Sequence, residues 1–151
     1  MKINFNTIPP EGQSIEAQEP TEILKVKKGD IVFLEPINIE IKVNRVGDNL
    51  LINGKLTTSA EMTCSRCLKR YRQPLVNKNF SIVRYVSGDP EVDITGDIRE
   101  EILVQIPIKP LCREKCKGIC PKCGKDFNEG KCSCDLSQEN INWSELDKLK
   151  L

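Results

Sequence analysis

An alternation of apolar and polar residues is the clearest pattern in the first half of the chain. Four apolar residues are separated by single polar residues, the period-two pattern of a half-buried strand: Ile37, Ile39, Ile41 and Val43. The polar segment Gly47-Asp48-Asn49 follows and predicts a hairpin turn. The pattern therefore predicts two antiparallel strands joined at this turn.

The second strand of this pair is predicted to be long. Eight residues share its predicted inner face: Leu50, Ile52, Gly54, Leu56, Thr58, Ala60, Met62 and Cys64. After Cys67 a further strand is expected from about Tyr71 to Val86, with a kink at Pro74. Since consecutive strands usually pair with their neighbours, the segment predicts an antiparallel meander curled into a partial barrel.

The chain before this meander is predicted to be mostly irregular. Four residues that interrupt regular structure lie within the first twenty: Pro9, Pro10, Gly12 and Pro20. Short strands are expected from Met1 to Asn6 and from Ile23 to Val26, with a turn at Lys28-Gly29-Asp30.

A short helix is predicted after an acidic loop that runs from Ser87 to Gly96. Asp97 followed by Glu100 has the spacing of a capping box. The apolar residues of the helix recur at helical spacing before Pro107: Ile98, Ile102, Leu103 and Ile106.

The predicted fold class is therefore α+β and mainly β, with a C-terminal cysteine segment that is zinc-ribbon-like. A second short helix is expected from Asn142 to Leu149. We expect a β-rich domain over residues 1–111, and a cysteine-rich segment with the terminal helix over residues 112–151.

Composition places the chain among soluble proteins of about one domain. It has 151 residues, of which 38% are hydrophobic and 30% are charged. No apolar run approaches the roughly 20 residues of a membrane span, and the N-terminal residues lack the pattern of a signal peptide. We therefore expect a cytoplasmic protein that binds neither a membrane nor a small-molecule substrate.

The chain contains eight cysteines and no histidine. Catalysis and metal ligation by histidine are therefore excluded for this sequence. In a reducing compartment, closely spaced cysteines are more typical of metal ligands than of disulfides. Catalytic zinc sites usually keep histidine ligands and an open position, so an all-cysteine set favours closed, structural sites.

The cysteines occur in four close pairs. Two have the spacing C-x2-C, one has C-x3-C and one has C-x-C; they are Cys64/Cys67, Cys120/Cys123, Cys112/Cys116 and Cys132/Cys134. Each pair can supply half of a tetrahedral site for zinc, whose bonds to sulfur are roughly 2.3 Å long. Four pairs therefore predict two Cys₄ sites, each holding one structural Zn²⁺.

The most specific motif is Cys120-Pro121-Lys122-Cys123-Gly124, because proline shapes the turn and glycine permits positive φ. Cys132 and Cys134 follow closely enough to complete that site. By elimination, Cys64, Cys67, Cys112 and Cys116 form the other site, although Cys112 and Cys116 could exchange roles with their neighbours. Serine at Cys120 and Cys123 should then remove one zinc ion and keep the other.

Three alternatives stay open at this point. The cysteines could form disulfides, or they could hold iron in rubredoxin-like sites, which also use paired knuckles. Cys64 and Cys67 could instead be a redox pair whose thiol pKa is lowered by Arg66. Thioredoxin-like pairs lead into a helix, however, whereas a strand is predicted here.

Basic residues are concentrated around the cysteines. Five lie between Cys64 and Lys78 without any acid, and seven lie between Lys109 and Cys134 with three acids. They could contact RNA phosphates, or they could offset the net negative charge of Zn(Cys)₄ units. The candidate RNA-binding residues are Arg66, Lys69, Arg70, Arg72, Arg113, Lys115 and Lys122.

Taken together, the motifs resemble the YceD family of large ribosomal RNA subunit accumulation proteins. The resemblance runs from about Ile37 to Leu151 and is carried by Cys64-x2-Cys67 and by two segments, Ile106-Pro107-Ile108-Lys109-Pro110-Leu111-Cys112 and the run from Cys116 through Cys134. It implies a bacterial protein, with plastid relatives, that is needed for normal accumulation of large-subunit ribosomal RNA. It implies no catalytic residues.

Three functions follow as hypotheses. In the first, the protein binds large-subunit rRNA or its precursor, or a large-subunit ribosomal protein, during ribosome biogenesis. In the second, it is a protein-interaction module or ribosomal-protein chaperone whose zinc is purely structural. In the third, it is a thiol redox enzyme that uses Cys64 and Cys67.

Overall fold

Within residues 1–26 and 31–135, which the computed structural model describes, the chain forms seven β-strands and one α-helix. The strands are β1 (Lys2–Asn4), β2 (Gln13–Glu19), β3 (Ile31–Phe33), β4 (Ile37–Val46), β5 (Asn49–Thr63), β6 (Arg70–Tyr85) and β7 (Glu91–Asp93). The helix α1 spans Thr95–Val104, and two 3₁₀ turns span Phe5–Thr7 and Thr21–Leu24. The predicted fold class, mainly β with a short helix, is confirmed.

Strand β5 is the centre of the larger sheet. One edge pairs with β6 along nearly its whole length, and the other pairs first with β4 and then with β3. Strand β2 extends the sheet beyond β4, and β1 pairs with β7 in a separate ribbon. All pairs are antiparallel. Among the described strands no pairing joins β2 to β6, so the sheet is open rather than a closed barrel.

The β4–β5 hairpin forms where the alternating pattern predicts it. Val46 pairs with Asn49, so the turn has two residues, and Gly47 at its first position has φ 59°. A positive φ at that position is characteristic of tight hairpin turns and favours glycine. The apolar positions of β4 and β5 then face the same side and are buried.

The main core lies between this face of the sheet and α1. Ile98 and Ile102 are completely buried against strand residues such as Ile52 and Phe80. A completely buried side chain of this size contributes about 1.5–3 kcal/mol. Polar contacts also hold the helix in place, because Asn77 Nδ2 donates to Glu101 Oε2 at 2.7 Å.

The N-terminal part is more regular than the sequence predicts. Its first predicted strand is shorter, since β1 ends at Asn4. Gln13–Glu19 forms β2 because it pairs with the free edge of β4. This pairing is a tertiary contact, and the local pattern of two apolar residues, Ile15 and Ala17, predicts the strand only weakly.

The strand predicted from Ile23 to Val26 is wrong. Thr21–Leu24 forms a 3₁₀ turn that ends at Lys25, whose φ is 50°. The turn buries Leu24 completely in the core, and its carbonyl accepts a hydrogen bond from Arg99 Nε at 3.1 Å. The turn predicted at residues 28–30 lies outside the described residues.

The predicted capping box of the helix is also wrong. The helix begins at Thr95, and Ile94 at the N-cap position makes no side-chain hydrogen bond. Asp93 Oδ1 instead accepts from the Thr95 backbone N–H at 2.9 Å, while the Asp97 carboxylate pairs with Arg84. Asp93 belongs to β7, which forms inside the predicted acidic loop because it pairs with β1.

The far end of β5 leads from the sheet core to the cysteines. Ala60, Met62 and Leu75 form a second buried cluster, which β3 partly covers with Phe33. The sequence did not predict β3. The kink predicted at Pro74 is wrong, because Pro74 pairs in register with Ser59. The register of the β5–β6 pair shifts instead between Gly54 and Leu56, where β6 has a bulge. The predicted helix of residues 142–149 lies outside the described residues.

Alanine at Gly54 should destabilise the sheet. A Cβ atom there would lie 2.1 Å from the Glu40 carbonyl oxygen and 2.7 Å from the Ile41 Cα, and backbone atoms cannot move away easily. We expect Gly54→Ala to lower the free energy of unfolding by about 1–3 kcal/mol, measured by urea denaturation. The control is Gly96→Ala, which has no atom within 4 Å of its Cβ and should raise stability by up to about 1 kcal/mol. Equal losses in the two variants would contradict this.

Candidate metal centres

The first candidate centre, here called the core-proximal cluster, consists of Cys64, Cys67, Cys112 and Cys116. All four Sγ atoms lie within 4.8 Å of one another. Cys64 Sγ is 3.8 Å from Cys116 Sγ, and Cys67 Sγ is 3.6 Å from Cys112 Sγ. A tetrahedral ion with bonds of roughly 2.3 Å requires edges of about 3.8 Å, so the sulfurs have the spacing of a Zn(Cys)₄ site.

The core-proximal cluster joins the end of the sheet to the segment after the helix. Cys64 follows β5 directly, and the cluster packs against Tyr71 and Leu111. The Ser65 N–H donates to the Pro110 carbonyl at 2.8 Å, which ties the two chain segments together beside the sulfurs. The site is therefore an extension of the core and not a surface attachment.

The second candidate centre, here called the ribbon cluster, consists of Cys120, Cys123, Cys132 and Cys134. Its four Sγ atoms also lie within 4.8 Å of one another. Cys120 is buried, but Cys123 is exposed and the other two are intermediate. The ribbon cluster is thus the more accessible of the two.

The two C-x2-C knuckles have the same backbone geometry. The Cys64 N–H donates to the Lys69 carbonyl at 2.9 Å, and the Cys120 N–H donates to the Lys125 carbonyl at 2.8 Å. The residue after each second cysteine, Leu68 or Gly124, has positive φ, 59° and 73° respectively. Each of these two residues also donates its N–H to the carbonyl of the knuckle's first cysteine.

Substitutions at this left-handed position should have opposite effects in the two knuckles. Gly124→Ala should lower stability by about 1 kcal/mol, because a Cβ atom disfavours positive φ. Leu68→Gly should be neutral or stabilising by up to about 1 kcal/mol, since the exposed Leu68 side chain loses little packing. Thermal unfolding of the metal-loaded protein would check both. A stabilising Gly124→Ala would contradict the shared geometry.

The thiols of the core-proximal cluster differ in pKa. Burial raises the pKa of Cys64, but the backbone N–H groups of Cys112, Cys67 and Arg66 outweigh it and lower the pKa to about 6. Burial and the neighbouring sulfurs raise the pKa of Cys112 to about 12. Thiolate and thiol thus lie side by side, and a divalent cation would allow all four sulfurs to ionise.

The thiols of the ribbon cluster differ in pKa in the same way. The backbone N–H of Cys123 is the largest of several causes that lower the pKa of Cys120 to about 6. The Cys123 side chain and burial raise the pKa of Cys134 to about 12. Both clusters therefore have the donor chemistry of a closed, all-thiolate metal site.

The structure bears on two of the alternatives. All eight cysteines are free, and the Sγ–Sγ distances of 3.8 and 3.6 Å in the core-proximal cluster exceed a disulfide bond of about 2.05 Å. Cys67 leads into the strand β6, not into the helix that follows thioredoxin-like pairs. The same four-sulfur geometry suits iron as well as zinc.

Four of the seven candidate RNA-binding residues already have partners within the chain. Arg66 Nη1 donates to the Cys116 carbonyl at 2.7 Å. Lys69 Nζ lies 3.0 Å from Asp126 Oδ2 and also pairs with Glu129. The other two also pair with acids, Arg70 with Glu61 on β5 at 3.0 Å and Arg72 with Glu35 in the loop between β3 and β4.

The remaining three, Arg113, Lys115 and Lys122, are exposed. Across residues 1–26 and 31–135, no acidic side chain forms an ion pair with them. They lie on the segment that the two clusters hold, so they are the most available of the seven for a charged partner.

The structure also reveals residues that sequence reasoning missed. Asn128 Nδ2 donates to Cys116 Sγ at 3.4 Å, and the Asp126 carboxylate binds Lys69. The Asn128 side chain is the largest of the causes that lower the pKa of Cys116. The short spacing from Asp126 to Asn128, typical of an Asx turn, is the one sequence signal that could have indicated them.

The described part of the chain has no helix long and apolar enough to cross a membrane. Sequence comparison finds that the family model of the large ribosomal RNA subunit accumulation protein YceD matches residues 77–150. This range contains six of the eight cysteines but not Cys64 or Cys67, so it is narrower than the resemblance described above. No solved structure matches the fold.

Curated relatives come from bacteria and plants. The Bacillus subtilis protein YlbN is 29% identical over 76% of this chain and 76% of its own length. A Mycobacterium leprae protein is 28% identical over 63% of this chain and 52% of its own length. The chloroplastic large ribosomal RNA subunit accumulation protein YCED homolog 1 of Arabidopsis thaliana is 35% identical over 40% of this chain and 19% of its own length.

The chain thus spans about half of the mycobacterial relative and about a fifth of the plant relative. The family predicted from the cysteine motifs is confirmed by the matching model and by the name of the plant relative. Over residues 77–150, the chain is similar to the YceD family of large ribosomal RNA subunit accumulation proteins.

Proposed function

We propose that this protein supports the accumulation of large-subunit ribosomal RNA during ribosome biogenesis in the cytoplasm, as a binding protein and not as an enzyme. The observation that carries the proposal is the YceD family match over the cysteine segment. The plant relative that bears the family's name supports the same role. The absence of histidine removes the usual general acid–base residue.

In this proposal each cluster holds one structural Zn²⁺ ion. In each cluster four sulfurs lie within 4.8 Å of one another and would fill the coordination sphere, so no position would be left open for a substrate. The core-proximal ion would fasten residues 112–116 to the end of β5. The ribbon ion would close the loop from Cys120 to Cys134, which could not bury enough apolar surface to fold alone.

The basic residues held by the two clusters would contact RNA phosphates. Arg113, Lys115 and Lys122 are exposed and supply the largest part of this attraction. Arg66, Lys69, Arg70 and Arg72 contribute less, because intramolecular acids or a carbonyl already engage them. Such contacts would position RNA without reading its sequence.

A large-subunit ribosomal protein is the second candidate partner. One observation favours it, namely the exposed apolar residues just before Cys112. Val104 is 77% exposed and Ile108 is fully exposed, so both apolar side chains are accessible to a partner. A protein partner could cover these residues, whereas RNA phosphates could not.

Depletion of the protein from cells tests the proposed role. The sedimentation profile of ribosomes should show a shortage of large subunits, together with unstable or unprocessed large-subunit RNA. Re-expression of the wild-type chain should restore the profile. A normal profile under efficient depletion would contradict the role.

Affinity capture before and after nuclease treatment separates the two partners. Loss of the captured large-subunit components on nuclease treatment supports RNA binding, whereas retention of one ribosomal protein supports the second candidate. The redox alternative is tested in the same material. Rapid alkylation of Cys64 or Cys67 in the metal-loaded protein would favour that alternative.

A further inference from the structure

The loop of the ribbon cluster is docked onto the core-proximal cluster by side chains that are not metal ligands. Asn128 lies between Cys123 and Cys132, inside the loop that the ribbon cluster closes. Its Nδ2 atom nevertheless lies 3.4 Å from the sulfur of Cys116, a member of the other cluster. Asn128 is therefore part of the loop of the ribbon cluster, but its side chain contacts a sulfur of the core-proximal cluster.

The orientation of the Asn128 amide is determined by its neighbours. Its Oδ1 atom accepts from the Lys117 backbone N–H at 2.9 Å, so that end must be the carbonyl. Its Nδ2 atom then faces two acceptors, Cys116 Sγ and Asp126 Oδ1, the latter at 2.6 Å. An amide that is held at both ends presents its N–H to the sulfur with little freedom.

Further contacts keep the loop against the core-proximal knuckle. Lys69 Nζ, five residues after Cys64, lies 3.0 Å from Asp126 Oδ2. The Phe127 N–H donates to the Gly118 carbonyl at 2.9 Å, and a Cβ atom at Gly118 would lie 3.1 Å from the Arg66 carbonyl oxygen. The ribbon loop therefore packs closely against the knuckle of Cys64 and Cys67, and these contacts require the loop to be folded.

We propose that Asn128 is a positioning residue that couples the two clusters, so that metal bound at either one raises the affinity of the other. Closure of the ribbon loop around its ion fixes Asn128, and the fixed N–H stabilises the Cys116 thiolate as a ligand. Reciprocity follows from thermodynamic linkage, because each occupied cluster favours the same docked arrangement. The inference rests on the proposed binding of metal by both clusters.

The coupling is measured by comparing the full protein with variants that keep one cluster. Cys120→Ser/Cys123→Ser keeps the core-proximal cluster, and Cys64→Ser/Cys67→Ser keeps the ribbon cluster. Zinc dissociation constants are obtained by competition with a chromophoric chelator. The product of the two constants in the full protein should be about 10- to 100-fold smaller than the product from the two single-cluster variants.

The same comparison in the Asn128→Ala background should give a ratio near one. Asn79→Ala is the matched control, since Asn79 is an exposed asparagine on β6, and it should leave the coupling unchanged. Asn128→Asp, which keeps the shape but loses the N–H donor, should behave as Asn128→Ala does.

Cobalt spectra provide a second readout that does not require the single-cluster variants to fold. Removal of an N–H donor from a metal-bound thiolate makes the sulfur more electron-rich. With both clusters loaded with Co²⁺, Asn128→Ala should therefore shift part of the sulfur-to-cobalt charge-transfer band to lower energy, and Asn79→Ala should not.

The outcomes separate this inference from the proposed function. If the wild-type chain fails to bind two ions, metal binding by the clusters is itself wrong. If it binds two ions but shows no coupling, or if Asn128→Ala leaves both coupling and spectrum unchanged, the role of Asn128 is overturned and the metal sites stand.

Discussion

Serine at Cys64 and Cys67 should remove one of two bound metal ions and destabilise the whole sheet. The core-proximal cluster is continuous with the hydrophobic core, since Cys64 is fully buried and packs with Tyr71, which also covers Met62 and Leu75. Structural zinc contributes about 10–16 kcal/mol in zinc-finger peptides, which is comparable with the whole stability of a domain, about 5–15 kcal/mol. We therefore expect a fall in the thermal midpoint of at least ~10 °C.

Serine at Cys120 and Cys123 should remove the other ion and leave the sheet folded. The ribbon cluster lies outside the three buried apolar clusters found in the described residues, and Cys123 is exposed. Loss of the ribbon cluster's ion should unfold the loop from Cys120 to Cys134. The thermal unfolding midpoint of the sheet should stay within a few degrees of the wild-type value.

Metal analysis and circular dichroism of the two double variants would check both expectations. Each variant should retain one ion per chain. Loss of both ions from Cys120→Ser/Cys123→Ser, or of neither, would contradict the grouping of the cysteines. Equal destabilisation by the two variants would contradict the distinction between core-proximal and ribbon clusters.

Charge reversal at Arg113, Lys115 and Lys122 should weaken RNA binding and reduce its dependence on salt. Each phosphate contact contributes about 0.7–0.9 to the slope of log affinity against log salt concentration. Removal of three contacts should therefore lower the slope by about 2–3. Repulsion from the new carboxylates should add to the loss, for a total of at least ~100-fold at low salt.

The matched control reverses three lysines on the sheet, Lys42, Lys55 and Lys78. It changes the net charge by the same amount, so a nonspecific charge effect would weaken binding equally in the two proteins. Fluorescence anisotropy with a large-subunit rRNA fragment, at several salt concentrations, would measure both slopes. Unchanged binding by the Arg113/Lys115/Lys122 variant would contradict direct RNA contact through these residues.

The parts of the fold that local pattern could predict are those with strong periodicity or special turn residues. Ile37 to Val43 alternate strictly, and Gly47 permits the tight turn, so the β4–β5 hairpin was predictable. The cysteine spacing likewise indicated the two sets of four sulfurs that the structure brings together.

The remaining elements depend on tertiary partners that a single sequence does not reveal. Strand β2 exists because β4 offers a free edge, and β7 exists because β1 pairs with it. Leu24 lies in a 3₁₀ turn because its side chain packs in the main core and its carbonyl accepts a hydrogen bond from Arg99. Asn128 escaped notice for the same reason, since its contact with Cys116 requires the folded ribbon loop.

Native mass spectrometry of the purified chain tests the central claim most directly. We expect a mass that corresponds to two bound zinc ions, with eight thiols that resist alkylation until a strong chelator removes the metal. A mass that corresponds to bound iron would support the two metal centres but would show that the metal is not zinc. A metal-free chain with reactive thiols, or one with disulfides, would contradict the account that two Cys₄ centres hold this protein's basic segment in place.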